Sequence, residues 1–216
     1  MQDNSSSDDR VHDILETGPL QVNCQIIGSR SSGEAVLIDP GGDEERVLKH
    51  LAGRRLKPVA IVNTHGHFDH IGAVAAIKEA TGCPFLLHAD DAAIVQAAPE
   101  HAATWGLPFG EPPVIDRTIE DGETLSFNGL SLEVIHTPGH TPGGVCLLWD
   151  GCHVAVGDTL FAGSIGRTDL PGGNHNQLIS SIRDRLLPLP DDTRCHPGHG
   201  PSTSVGKERR ANPYLR

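Results

Sequence analysis

Aromatic residues make up only 4% of this 216-residue chain, with one tyrosine and two tryptophans, which leaves no basis for a base-stacking surface. Positive charge is also scarce. Seventeen Lys and Arg face 28 Asp and Glu, and the formal charge of −11 has the wrong sign for a nucleic-acid face and the right one for attracting cations. No apolar run approaches the ~18 residues of a membrane span. Residues 1–10 are polar and acidic, without the basic start and greasy core of a signal peptide, so a disordered tail and a cytoplasmic location are expected. Cysteine is sparse and scattered: Cys24, Cys83, Cys146, Cys152 and Cys195 form no CxxC pair. That pattern favours reduced thiols over a disulfide framework or a Cys-rich zinc site.

The length suits one sizeable core, and residues 11–216 read as a single domain. Strands are expected at 21–27, 35–38, 59–62 and 85–87, with helical spacing through Val47, Leu48 and Leu51, at 71–80 ending at Gly82, and near 90–98. Residues 99–118, with prolines at 99, 108, 112 and 113 and the aromatic pair Trp105 and Phe109, read as a long loop that suits a lid. Strands then dominate at 124–127, 130–135, 144–149 and 152–157. A helix follows at 176–187, then a short strand near 193–195 and a last helix from about Thr203. Two halves, each of strands followed by helices, imply an α/β (α+β) fold with two sheets coated by helices on both sides.

What the chain has in quantity is histidine, 13 residues in all, and four metal-capable side chains crowd into NTHGHFDHIG, residues 63–72. Side chains alternate along an extended segment, so His65 and His67 point one way, and Asp69 joins them if the extension persists. His70 falls where the next helix starts. A lone His-x-His is weak evidence, but three imidazoles and a carboxylate directly after a buried strand would repel one another unless a cation sits between them. Three later stretches share this grammar of an apolar strand followed by a pinned turn: Ile135 into HTPGHTPGG, Val156 into GDT, and Cys195 into HPGHG. Their turns carry His140, Asp158 and His199.

Together THxHxDH, HTPGHTPGG, GDTLF and PGHG resemble the motif set of the metallo-β-lactamase-fold hydrolases. More narrowly, residues 156–187 and the ending GHGPSTSVGKERRANPYLR resemble the compact bacterial type II glyoxalases, the hydroxyacylglutathione hydrolase-like enzymes, and the resemblance spans residues 18–216. It implies a four-layer αββα sandwich with a dinuclear metal site. By that resemblance one ion is held by His65, His67 and His140, a second by Asp69, His70 and His199, and Asp158 bridges them. Zn2+ is the expected ion, with Fe or Mn suited to the same donors. Asp69 is also expected to orient the metal-bound hydroxide that attacks the substrate carbonyl.

A thiol, with a pKa near ~8.5, leaves as thiolate without a proton donor, whereas an amide nitrogen needs one. The chemistry therefore favours a thioester. The resemblance points to a small-molecule partner of that kind, S-D-lactoylglutathione or a related 2-hydroxyacyl-glutathione, on a monomer or small homo-oligomer with no nucleic-acid or membrane partner. Arg167 in GRTD matches a basic position that meets the glutathione carboxylate. Asp39 in IDPGG matches an acid that supports the metal loops. The runner-up on the same fold is a persulfide dioxygenase using one iron on His65, His140 and Asp158. His136 and His196 are expected to pack beside the ligands, and His175 to open a helix near the pocket. His12, His50, His88, His101 and His153 have no motif context.

Overall fold

The computed structural model describes residues 9–216. Strands β1 (Arg10–Thr17), β2 (Val22–Ser29) and β3 (Glu34–Ile38) run antiparallel in succession. β4 (Lys57–Val62), β5 (Phe85–His88) and β6 (Arg117–Ile119) extend the same sheet in parallel. The second sheet starts with the antiparallel strands β7 (Thr124–Phe127), β8 (Leu130–His136), β9 (Val145–Trp149) and β10 (His153–Gly157). A small hairpin, β11 (Leu160–Phe161) and β12 (Ser164–Ile165), follows. β13 (Arg194–Pro197) then pairs parallel to β10, and β14 (Thr203–Ser204) closes the edge.

The outer layers are helical. α1 (Glu44–Arg54), α2 (Phe68–Ile71), α3 (Val74–Thr81), α4 (Ala92–Gln96) and α5 (Ala98–Thr104) come from the first half, and α6 (His175–Ser181) and α7 (Val205–Ala211) from the second. The alternation of strand side chains sorts three hydrophobic layers. In β3, Ala35 and Leu37 pack toward Val47, Leu51 and Ile77, while Val36 and Ile38 face the opposite sheet. In β9, Val145, Leu147 and Trp149 face inward, and Cys146 turns outward to meet Leu178 and Ile182. Central strands buried on both faces need apolar side chains at every position, which is why they read as unbroken greasy runs. The result is the expected four-layer αββα sandwich.

Parallel pairing sets where the loops emerge. Because β3 and β4 run the same way, Asp39 and the 63–70 turn leave the first sheet at one edge. Because β10 pairs in parallel with β13, with Gly157 opposite Pro197, Asp158 and His199 follow strands that end side by side.

Three expectations need correction. β1 was not foreseen; Arg10 opens it and so lies inside a strand, and residues 1–8 of the expected tail lie outside the described residues. The 71–80 helix is two helices, broken at Gly72-Ala73. There the Ala73 N–H donates to the Pro40 carbonyl at 2.9 Å, and a Cβ on Gly72 would meet the Gly41 oxygen at 2.4 Å. The expected 99–118 loop begins with α5, because proline in the first helical turn gives up an N–H that has no intrahelical partner anyway.

Candidate metal centre

The run 63–70 changes conformation where its chemistry requires. His67 is still extended, and the chain turns helical at Phe68, so Asp69 reaches the cluster from the first turn of α2 rather than by strand parity. His140 comes from the loop between β8 and β9, Asp158 follows β10, and His199 follows β13. The structure brings all seven expected donors into one linked cluster. The rings of His65 and His70 lie 4.0 Å apart, those of His65 and His140 4.8 Å, and His67 Nδ1 stands 3.0 Å from His140 Nε2. Asp158 lies between the two groups, 3.7 Å from His140 Nε2, 3.5 Å from His70 Nε2 and 3.7 Å from His199 Nε2. His199 Nε2 is 3.3 Å from Asp69.

The Asp158 separations are long for hydrogen bonds. They suit donors around a shared ion, since bonds of ~2.0–2.1 Å across a tetrahedron place neighbouring donor atoms ~3.3 Å apart. The far sides of the rings set the tautomers. His140 Nδ1 donates to the Arg167 carbonyl at 2.8 Å, and His199 Nδ1 donates to the Leu20 carbonyl at 3.0 Å. His70 Nδ1 donates to Asp39 at 3.1 Å, and His65 Nδ1 sits 3.1 Å from the Thr64 hydroxyl. Each of these four contacts leaves the Nε2 lone pair free to face the cluster. Asp39 also accepts from the Thr64 N–H and hydroxyl, both at 2.7 Å, and so ties the 63–70 turn to the end of β3.

Six buried side-chain N or O atoms among the described residues have no hydrogen-bond partner, and four belong to this cluster: Nε2 of His65, His67 and His70, and Asp158 Oδ1. Buried donors and acceptors left alone cost about 1–3 kcal/mol each, so their concentration in one place fits a cation site. The electrostatics agree. Burial, then repulsion from neighbouring imidazoles, holds His65 and His67 well below the ordinary imidazole range. Burial also opposes charge on His70, yet Asp69, Asp158 and Asp39 raise it to about 10. Burial likewise opposes ionisation of Asp69, but His70 and His199 pull its carboxyl well below the usual range. Carboxylates that can hold a proton on a fully buried histidine can hold a divalent cation in its place.

The metallo-beta-lactamase superfamily profile matches residues 17–199. The chain belongs to that superfamily. Among curated relatives, the hydroxyacylglutathione hydrolase GloC of Haemophilus influenzae is 39% identical over 206 residues, covering 94% of this chain and 97% of its own. Among solved structures, the BLEG-1 B3 metallo-beta-lactamase superposes with a TM-score of 0.89 at 38% identity, covering 95% and 99% of the two chains. TTHA1623 in a di-iron-bound form gives 0.87 at 43%, covering 94% and 100%.

The cluster floors a cleft of about 490 Å³ walled by Leu20, Phe68, His101, Thr104, Trp105 and Leu170. His101 and Trp105 belong to α5 and its cap, a segment expected to be loop, and no motif marked them. Arg167 borders the cleft too, with its guanidinium in a bidentate pair with Asp169 at 2.8 and 2.9 Å. His175 is exposed at the start of α6 and is not a wall residue; His136 bonds the Pro142 carbonyl at 2.9 Å and stacks on His88.

Sequence reasoning also missed Asp91. This fully buried carboxylate accepts from Gly66 N at 2.9 Å, Thr141 Oγ1 at 2.8 Å and Gly143 N at 2.6 Å, and so joins the His65–His67 turn to the His140 loop. The signal was an acid shortly after a buried strand, as at Asp39 and Asp158.

Proposed function

We propose that the chain is a dinuclear metal-dependent thioester hydrolase acting on S-D-lactoylglutathione or a related 2-hydroxyacyl-glutathione. The observation that carries this reading is the seven-donor cluster, with four partnerless buried donor atoms, at the floor of an open cleft. His65, His67 and His140 would hold one ion, Asp69, His70 and His199 the other, and Asp158, central to both groups, would bridge them. Bound there, two divalent cations would supply a hydroxide near neutral pH and a Lewis acid toward a carbonyl oxygen. Donors of imidazole and carboxylate suit Zn2+, Fe or Mn, and likeness to a di-iron protein supports iron as well as zinc.

The chain's own groups do the remaining work. Asp69, ionised and beside His199, would accept the hydrogen bond that aims the attacking oxygen. Asp39 keeps the His70 proton on Nδ1, and the Arg167 and Leu20 carbonyls do the same for His140 and His199. The apolar wall of Leu20, Phe68, Trp105 and Leu170 holds the thiol carrier and limits water near the reacting carbonyl. A thiolate departs without a proton donor, which favours a thioester over a β-lactam amide. The 39% identity with GloC supports the same choice.

Metal analysis of purified protein alongside turnover of S-D-lactoylglutathione tests the reading. Two or more divalent ions per chain with thioester turnover are expected, and His67→Ala and Asp158→Asn should lose at least ~100-fold in kcat/KM. Full activity in those variants, or a single iron with oxygen uptake on glutathione persulfide, would overturn it.

A further inference from the structure

We propose that His12, His153 and His196 form a separate site for a borderline divalent transition-metal ion, of the Zn2+, Cu2+ or Ni2+ class, that staples the two sheets together. His12 lies on β1 of the first sheet, and His153 and His196 lie on β10 and β13 of the second. One ring nitrogen from each lies within 4.8 Å of the other two. His153 Nδ1 and His196 Nε2 are 3.1 Å apart, close to the ~3.3 Å edge that two nitrogens make across a tetrahedral ion. None of the three lines the cleft or belongs to the seven-donor cluster.

The bed around the trio is built. Ser202 Oγ lies 3.0 Å from His196 Nδ1, and with that nitrogen donating to the hydroxyl the His196 Nε2 lone pair faces His153. Gln25 spans the gap, with its Oε1 3.3 Å from His12 Nε2 and its amide donating to the His196 carbonyl at 3.4 Å. The Trp149 ring closes the inner side, with centroids 5.0 to 5.4 Å from all three imidazoles. Burial, ahead of any neighbouring charge, lowers the proton affinity of each of the three. At neutral pH all three are therefore deprotonated, as ligation requires. An all-imidazole donor set selects borderline transition ions over Mg2+ and Ca2+, which take oxygen.

Trp149 supplies the readout. In a Trp105→Phe background it is the remaining tryptophan. Metal-stripped full-length protein is titrated with Cu2+ for fluorescence and with Zn2+ for ions bound per chain. The starting chain should bind one Zn2+ more than its His153→Gln and His12→Gln versions, lose at least about half its Trp149 emission to Cu2+, and gain more in Tm from Zn2+ than either variant. His153 is half-buried, so His153→Gln keeps the comparison if His12→Gln misfolds. Equal ion counts in all three proteins, or quenching that persists without His153, would overturn the site.

Discussion

Single side chains do two kinds of work at the cleft floor: some present donor atoms, and others, such as Asp91, tie together the loops that carry them. His65, His67, Asp69 and His70 were legible because they stand together in six positions after a buried strand. Asp91 was not, since its three partners come from residues 66, 141 and 143 and only folding brings them near. Asp91→Ala strands two buried N–H groups and a hydroxyl, so a loss of about 3 kcal/mol or more is expected, a Tm drop of ~6–12 °C for a chain of this length. Thermal unfolding checks it, and an unchanged Tm would show that water serves those groups as well. Gly198 makes the opposite point: it matters through what it lacks. A Cβ there would come within 2.3 Å of Asp158 Oδ1 and 2.6 Å of His70 Cε1. Gly198→Ala should therefore weaken divalent-ion binding at least ~10-fold while far-UV circular dichroism stays native. Wild-type affinity in that variant would refute the close-approach argument.

Elements were legible in proportion to how much they bury. β3, β4, β5, β9 and β10 announce themselves because both faces are covered. β1 hides because it is an edge strand with only Val11 and Thr17 buried along Arg10–Thr17, leaving a mostly polar run. The short β6 and β14 carry too few residues for any period to show. α5 reads as loop in the sequence on account of its proline, yet it brings His101, Thr104 and the adjoining Trp105 to the cleft. Trp105 is half exposed, with its ring 6.3 Å from Phe68. It should therefore act on binding more than on folding or chemistry. Trp105→Ala is expected to raise KM for the proposed thioester substrate ~5–10-fold with kcat within about twofold, measured by steady-state kinetics. A kcat collapse at unchanged KM would place the residue in the chemistry instead.

At the scale of the molecule, the two sheets meet at an apolar inner layer, and at one margin of it His12, His153 and His196 gather around Trp149. Burial holds all three below the ordinary imidazole value of ~6.5, His196 down to about 3. Asp13 and Asp150 work for protonation of His12 and His153, and Arg194 works against it at His153 and His196. Below pH ~6.5 the unfolded chain takes up protons that the folded trio refuses, so stability is full above that value and declines as pH falls toward 3. In chelator, Tm should fall more steeply from pH 7 to pH 5 for the wild type than for His196→Gln. Parallel slopes would show that the trio is not what titrates.

The partition of the seven donors has a genetic consequence. His65, His67, Asp69 and His70 precede the Asp121-Gly122 turn together with the whole first sheet, while His140, Asp158 and His199 follow it with the whole second sheet. Two genes split at that turn would each encode a whole sheet with an incomplete set of ligands. Their products should recombine into working enzyme only when a divalent ion is supplied, which would make this fold a metal-gated complementation pair.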